Sequence, residues 1–165
     1  MTNEELIQQE LENKFPFLKE KIRIQRARRL FADIPLDKFM EVFDYVAKHM
    51  DFPNLCTITG TDEGDNLGCY YHLAKRNGII LNLKSLTPKS NPKILSVSSY
   101  YPTAILYERE IHDLLGFDVQ GLPEGPRYPL DENWPQGQYP LRKDWKGSAM
   151  DLPVQNSCAP KKEGK

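Results

Sequence analysis

Between residues 117 and 145 the chain carries five prolines (Pro123, Pro126, Pro129, Pro135 and Pro140) and three glycines (Gly121, Gly125 and Gly137). Proline lacks an amide donor and fixes φ, so neither a helix nor a central strand can run through that spacing. The same stretch nevertheless holds both tryptophans, Trp134 and Trp145, together with Phe117, Leu122, Tyr128, Leu130, Tyr139 and Leu141. Disordered segments are poor in such residues, having no surface to bury them against. The stretch therefore reads as an ordered, extended arm that packs on a partner. The expected division is a polar N-terminal helix or extension over 1–20, a core domain over 21–116, the partner-binding arm over 117–146 and a polar, lysine-rich flexible tail over 147–165.

Upstream of the arm the pattern is that of a folded domain. Residues 3–14, rich in Glu and Gln, read as a polar helix ending near Pro16. Lys19, Lys21, Arg23, Arg26, Arg28 and Arg29 follow, with Ile22 and Ile24 alternating among them as in a strand. Those cations read either as a surface for an anionic partner or as a solvated strand face balanced by the acidic start. Pro35 stands where a helix begins, and Leu36, Phe39, Met40, Phe43, Val46, Ala47 and Met50 recur behind it at helical spacing. That stripe is core. Strand-like runs cover 55–61, 67–74, 79–86 and 94–98, and Asn77-Gly78 between two of them marks a hairpin. Pro102 suits the first turn of a last helix, with Ser98 or Ser99 as possible caps and Gly116 placed to end it. This order predicts an α+β, two-layer domain with a mixed or antiparallel sheet, helices on one face, and the Pro/Gly-rich arm behind it.

A formal net charge of -1 supplies no global positive field, which argues against nucleic acid as a partner. Apolar runs such as Gly78-Ile79-Ile80-Leu81 are far too short to span a bilayer, so any membrane contact is expected to be indirect. The start, Met1-Thr2-Asn3-Glu4-Glu5, is acidic with no apolar run behind it, unlike a signal peptide, and the expected location is the cytoplasm. Cys56, Cys69 and Cys158 form no close ligand pair. They read as ordinary thiols, with Cys56 and Cys69 buried in strands.

The last helix concentrates charge in Glu108-Arg109-Glu110-Ile111-His112-Asp113. Helical spacing makes Glu108 a neighbour of His112 and Arg109 a neighbour of Asp113, while Glu108 and Glu110 diverge. A stand-alone metal-dependent enzyme using Glu108, His112 and Asp113 is one reading, but no second His or carboxylate cluster completes a site. The preferred reading makes Arg109–Asp113 a fixed ion pair. Glu108 and Glu110 then meet arginines of the arm or a partner, with Arg127, Arg142 and Lys143 as the obvious counter-charges. Motifs of serine hydrolases, phosphate loops and dinucleotide sites are absent, so no active site is expected in this chain alone.

Tyr107-Glu108-Arg109-Glu110-x-x-Asp113-Leu114-Leu115-Gly116-Phe117, followed by Tyr139-Pro140-Leu141-Arg142-Lys143-Asp144, resembles the thirty-kilodalton subunit family of respiratory complex I. Relatives of that hydrophilic subunit include components of membrane-bound nickel–iron hydrogenases. The resemblance extends from about Asp37 to Trp145. Complex I members usually carry a His-Pro-x-Leu-Arg-Arg type stretch after the helix, where this chain reads Gly121 to Leu130; Tyr139 stands where many relatives have His. The Gly121 to Leu130 version, with Trp134-Pro135 following, looks more like the energy-converting hydrogenase and formate-hydrogenlyase branch, and both departures argue against a quinone-reducing NADH dehydrogenase role. The resemblance implies a non-catalytic scaffold subunit, peripheral on the cytoplasmic side of the membrane, with no cofactor of its own. It implies docking onto a large catalytic subunit, with the nickel–iron centre and iron–sulfur clusters held by partner subunits. The implied contact residues are Glu108, Arg109, Glu110, Asp113, Arg127, Trp134, Leu141, Arg142, Lys143 and Trp145. The thirty-kilodalton subunit of an NADH-oxidising, quinone-reducing complex I is the alternative.

Overall fold

The computed structural model describes residues 1–147, so the expected tail from 148 onward, with Cys158, lies outside the described residues. Its first element is set by a capping box. Thr2 Oγ1 accepts from the Glu5 amide at 3.2 Å, and the Glu5 carboxylate accepts from the Thr2 amide at 2.7 Å. Helix α1 (Asn3–Lys14) follows and buries Ile7 and Leu11 in the main core. It is therefore continuous with the domain packing rather than a separate extension.

The five-stranded sheet has the order β1 (Ile22–Arg26), β2 (Arg29–Asp33), β5 (Ile80–Pro88), β4 (Asn66–Ala74) and β3 (Asn54–Asp62). Only β2 and β5 run parallel, which makes the sheet mixed. Strand β2 is an addition to the expected strands, because its Arg29-Leu30-Phe31-Ala32 merges in sequence with the basic stretch. The expected hairpin joins β4 to β5. Within its turn only Gly78 adopts a positive φ, +82°, and Asn77 does not. A second, two-stranded parallel sheet pairs β6 (Lys93–Leu95) with β7 (Asp118–Gln120), so the start of the arm belongs to the domain.

Side chains alternate faces along a strand, and Cys69, Tyr71 and Leu73 all point to one side of β4. Helix α2 (Phe39–His49) lies on that side, with the Phe39 ring 4.8 Å and the Phe43 ring 5.4 Å from the Tyr71 ring. Helix α3 (Ala104–Leu115) covers the same side over β3. There a Cβ on Gly60 would overlap Leu115 and stand 3.1 Å from Ile111. The helices on one face thus agree with expectation. Cys69 is buried, and burial pushes its thiol up to about 12. Cys56 is exposed, contrary to expectation, because the β3–β4 register slips between Leu55 and Thr57 and the extra residue turns outward. The opposite sheet face is polar. Asn82, fully buried, donates to the Leu30 carbonyl at 2.5 Å and accepts from His72 Nδ1 at 2.5 Å, while Thr59 hydrogen-bonds His72 Nε2 at 2.9 Å.

Candidate partner interface

Helix α3 carries its charges on different sides, and the neighbours on each side decide their roles. Glu108 faces inward with no exposed surface and meets no arginine. Its carboxylate accepts from the Val97 amide and from Ser96 Oγ, each at 2.7 Å. Burial pushes its pKa up, and these two donors pull the other way. It braces the Ser96-Val97-Ser98 turn against the helix, which corrects its expected place in a partner contact. Ser98 and Ser99 do not cap α3 either: Thr103 precedes it without a side-chain cap, and the Ser98 amide donates to Ser96 Oγ.

The expected Arg109–Asp113 ion pair is also not formed. Arg109 Nη2 reaches across to the arm and donates to the carbonyls of Pro123 at 3.2 Å and Glu124 at 3.1 Å. Its guanidinium lies against the Gly125 backbone, where an added Cβ would overlap it. Asp113, buried, turns to the arm as well. It accepts from Arg127 Nε at 3.3 Å and from the Tyr128 amide at 3.0 Å. Helical neighbours share a face, but both side chains here found better partners in a segment fourteen or so residues away. His112 donates from Nδ1 to the Phe117 carbonyl at 2.7 Å. Glu108, His112 and Asp113 are therefore each held by a structural bond. Among the described residues no three His, Cys, Asp or Glu side chains sit together as a metal site requires.

The arm returns along α3 and closes its C-terminus. The last carbonyls of a helix lack intrahelical donors. The Leu141 amide donates to the Leu114 carbonyl at 3.0 Å, and Arg142 Nε donates to the Leu115 carbonyl at 2.6 Å. Gly116 leaves the helix at φ +76°, and a Cβ there would stand 2.5 Å from the Tyr139 ring. The Arg142 guanidinium stacks over that ring, 4.4 Å from its centre, and places positive charge at the negative helix end. Arg127 Nη1 donates to the Trp134 carbonyl at 2.6 Å. Both indole N–H groups donate to Gln138, and the two indole rings lie 6.1 Å apart.

Past Arg142 the arm is fastened to the sheet. Asp62, at the end of β3, accepts from Lys89 Nζ at 2.7 Å, the Lys143 amide at 2.8 Å and the Gly64 amide at 2.9 Å; Lys89 also bridges Asp144 at 3.0 Å. Burial alone would raise the Asp62 pKa, but Lys89 and the two amides outweigh it and bring the carboxyl down to about 2. Sequence patterning does not single out Asp62 or Lys89 as site residues; the only signal there is a turn at Asp62–Asn66.

Between α3 and the arm runs a groove of about 710 Å³ lined by Arg109, His112, Asp113, Arg127, Trp134 and Tyr139. Outward from it, Leu106 and Glu110 share one side of α3, with Leu114 one turn further on. Leu141, hydrogen-bonded to Leu114, extends this stripe and is 56% exposed; Leu106 is 52% exposed. Glu110 makes no ion pair among the described residues. Lys143 is exposed further along the arm, where its amide meets Asp62. Of the expected contact residues, then, Glu110, Leu141 and Lys143 offer surface. Arg109, Asp113, Arg127 and Arg142 hold the arm to its own domain, while Trp134 and Trp145 pack within the arm itself. No helix among the described residues is long and apolar enough to cross a membrane.

The architecture is similar to that of a chain in an archaeal respiratory membrane complex. A chain in the structure of the membrane-bound sulfane sulfur reductase matches with a TM-score of 0.76 and 28% identity, over 87% of this chain and 86% of that one. Residues 32–151 match the family described as respiratory-chain NADH dehydrogenase, 30 Kd subunit, and the chain belongs to that family. Among its relatives is a subunit of the F(420)H(2) dehydrogenase of Methanosarcina mazei, 35% identical over 83% of this chain and 88% of the relative. Another is the beta subunit of the membrane-bound hydrogenase of Pyrococcus furiosus, 25% identical over 97% of this chain and 95% of the relative.

Proposed function

We propose that this chain is a non-catalytic, peripheral subunit of a membrane-bound energy-converting hydrogenase or a closely related oxidoreductase, facing the cytoplasm. It docks onto the large catalytic subunit and holds it in register with iron–sulfur subunits. The nickel–iron centre and clusters belong to those partners. The observation that carries this reading is the stripe of Leu106, Glu110, Leu114 and Leu141. It is apolar at both ends, charged at its centre, and built on a helix whose end the arm has fixed. Interfaces concentrate such rigid, partly apolar patches with a polar rim. A second reading, a subunit of a dehydrogenase complex that oxidises a reduced cofactor, is favoured by the 35% identity to the F(420)H(2) dehydrogenase relative.

The test is purification of the native complex through an affinity tag on this chain, followed by metal analysis and activity assays. Nickel with hydrogen evolution supports the hydrogenase reading. A complex without nickel that oxidises F(420)H(2) or NADH supports the second. A chain that purifies without partners refutes both. Leu141→Asp should release the large subunit while leaving the chain folded, because the Leu141 amide that bonds its own helix is kept and the side chain is 56% exposed.

A further inference from the structure

The main sheet ends in two edges, and they are built differently. At one edge β1 has five residues, two of them arginines, Arg23 and Arg26, and its register slips between Ile24 and Arg26. Short length, cations and a bulge are devices by which natural sheets keep an edge from pairing with another chain. At the other edge β3 has nine residues and, among the described residues, pairs with β4 alone. Residues 54–61 include no proline and no charged side chain, and Thr57, Ile58, Thr59 and Thr61 all favour strands. The slip in β3 lies near its start, at Cys56; from Thr57 to Asp62 six consecutive residues stay in register with β4. Outside that ladder no amide or carbonyl of 54–61 meets another main-chain group among the described residues. Asn54, Cys56 and Thr59 are exposed. Every second amide and carbonyl of β3, on the side away from β4, is therefore open to pairing.

Helix α3 decides what kind of chain fits there. Its Ile111 and Leu115 stand over Gly60 of β3. Arg109, His112 and Asp113 lie on the flank towards the arm and β7, and Leu106, Glu110 and Leu114 lie on the other. The small sheet sits over β4 and β5, beside Cys69, Tyr71 and Ser85, so the first flank faces inward across the sheet and the second outward, above the open edge. A strand added beside β3 would run beneath that second flank. Its alternate side chains would meet Leu106 and Leu114 on one face and the row of Thr57, Thr59 and Thr61 on the other. Glu110 pairs with no cation among the described residues. Two copies of this chain joined edge to edge about a twofold axis would bring both Glu110 flanks together on one face, which like charges oppose. We infer that the outer edge of β3 takes an extended segment of a partner subunit as a sixth strand, apolar on its α3 side and carrying a lysine or arginine for Glu110. In strand addition of this kind main-chain hydrogen bonds supply affinity and alternate side chains supply specificity. The added strand presupposes the subunit reading above and specifies the form in which a partner meets this chain.

Amide hydrogen exchange tests it, in the full chain alone and in the purified complex. Alone, the amides of residues 57–61 should alternate between slow, where they donate to β4, and fast, where they face outward. In the complex the fast set should slow roughly tenfold or more. A fast set that stays fast in an assembled complex overturns the inference and leaves the subunit reading standing. A chain that assembles with nothing refutes that reading and the added strand with it. Glu110→Lys should speed exchange of the same set in the complex several-fold or release the partner; unchanged exchange overturns the assigned cation. A photo-crosslinking residue at exposed position 56 identifies the occupant. A crosslink to a partner subunit is expected. A crosslink to a second copy of this chain, or to residues 148–165 alone, overturns the partner strand.

Discussion

Asp62→Asn should loosen the arm before it loosens the domain. Asp62 is the point where Lys89 and the Lys143 amide meet, so its carboxylate ties the end of the arm to β3. Lowering its pKa from 3.8 to about 2 corresponds to a ceiling of about 2.5 kcal/mol at 1.36 kcal/mol per unit. Lys89 stands near solvent, so screening reduces the expected cost at pH 7 to about 1–2 kcal/mol. With an m value of about 2 kcal/mol/M in urea, the midpoint falls by about 0.5–1 M. The readout is selective because both tryptophans, Trp134 and Trp145, sit in the arm. Their emission should report arm release at lower urea than the far-UV circular dichroism of the sheet and helices. The sign of the pH dependence follows from a depressed carboxyl. Its stabilisation is complete above the unfolded pKa near 4 and is lost as pH falls through the folded value of about 2. The gap between wild type and Asp62→Asn should therefore be constant above about pH 5 and close between about pH 4 and 2. Equal midpoints at pH 7, or a gap that persists below about pH 2, would refute the latch.

Glu108→Ala, which orphans the Val97 amide and Ser96 hydroxyl, should cost about 1–3 kcal/mol in chemical denaturation. Glu108→Gln should cost less than Ala and gain on wild type as pH rises. Burial raises the Glu108 pKa, so its ionised form destabilises the fold above that value. Arg142→Ala removes the donor to the Leu115 carbonyl and the stacking on Tyr139, and should red-shift tryptophan emission while the sheet's circular dichroism holds. Gly125→Val must displace the Arg109 guanidinium from the arm backbone and should raise protease sensitivity between Leu122 and Trp134; unchanged cleavage there would refute the packing.

Periodicity exposes α2, α3 and three of the sheet strands, because each buries one face and so repeats at its own period. Strand β2 escapes because three arginines at 26–29 mask two buried side chains, Leu30 and Ala32. The charged helix shows the limit more sharply. Spacing names which residues could pair within α3, but the choice belongs to the arm. Asp113 goes to Arg127, Arg109 to backbone carbonyls, and Glu108 to a serine turn upstream. Carbonyls and amides leave no mark in a sequence. The arm's aromatic residues do signal order, yet not whether they serve a partner or the chain itself. In the structure most of them serve the chain, and Leu106, Tyr128 and Leu141 stay exposed.

The closing of α3 by Leu141 and Arg142 has a kinetic corollary. An arm that had to fold onto its partner would lose conformational entropy at the moment of binding and would associate slowly. Here the chain makes that sacrifice while folding alone, so the stripe proposed for docking is already fixed before any partner binds. Assembly should then proceed at a rate set by encounter, rising as ionic strength falls if Glu110 and Lys143 steer it.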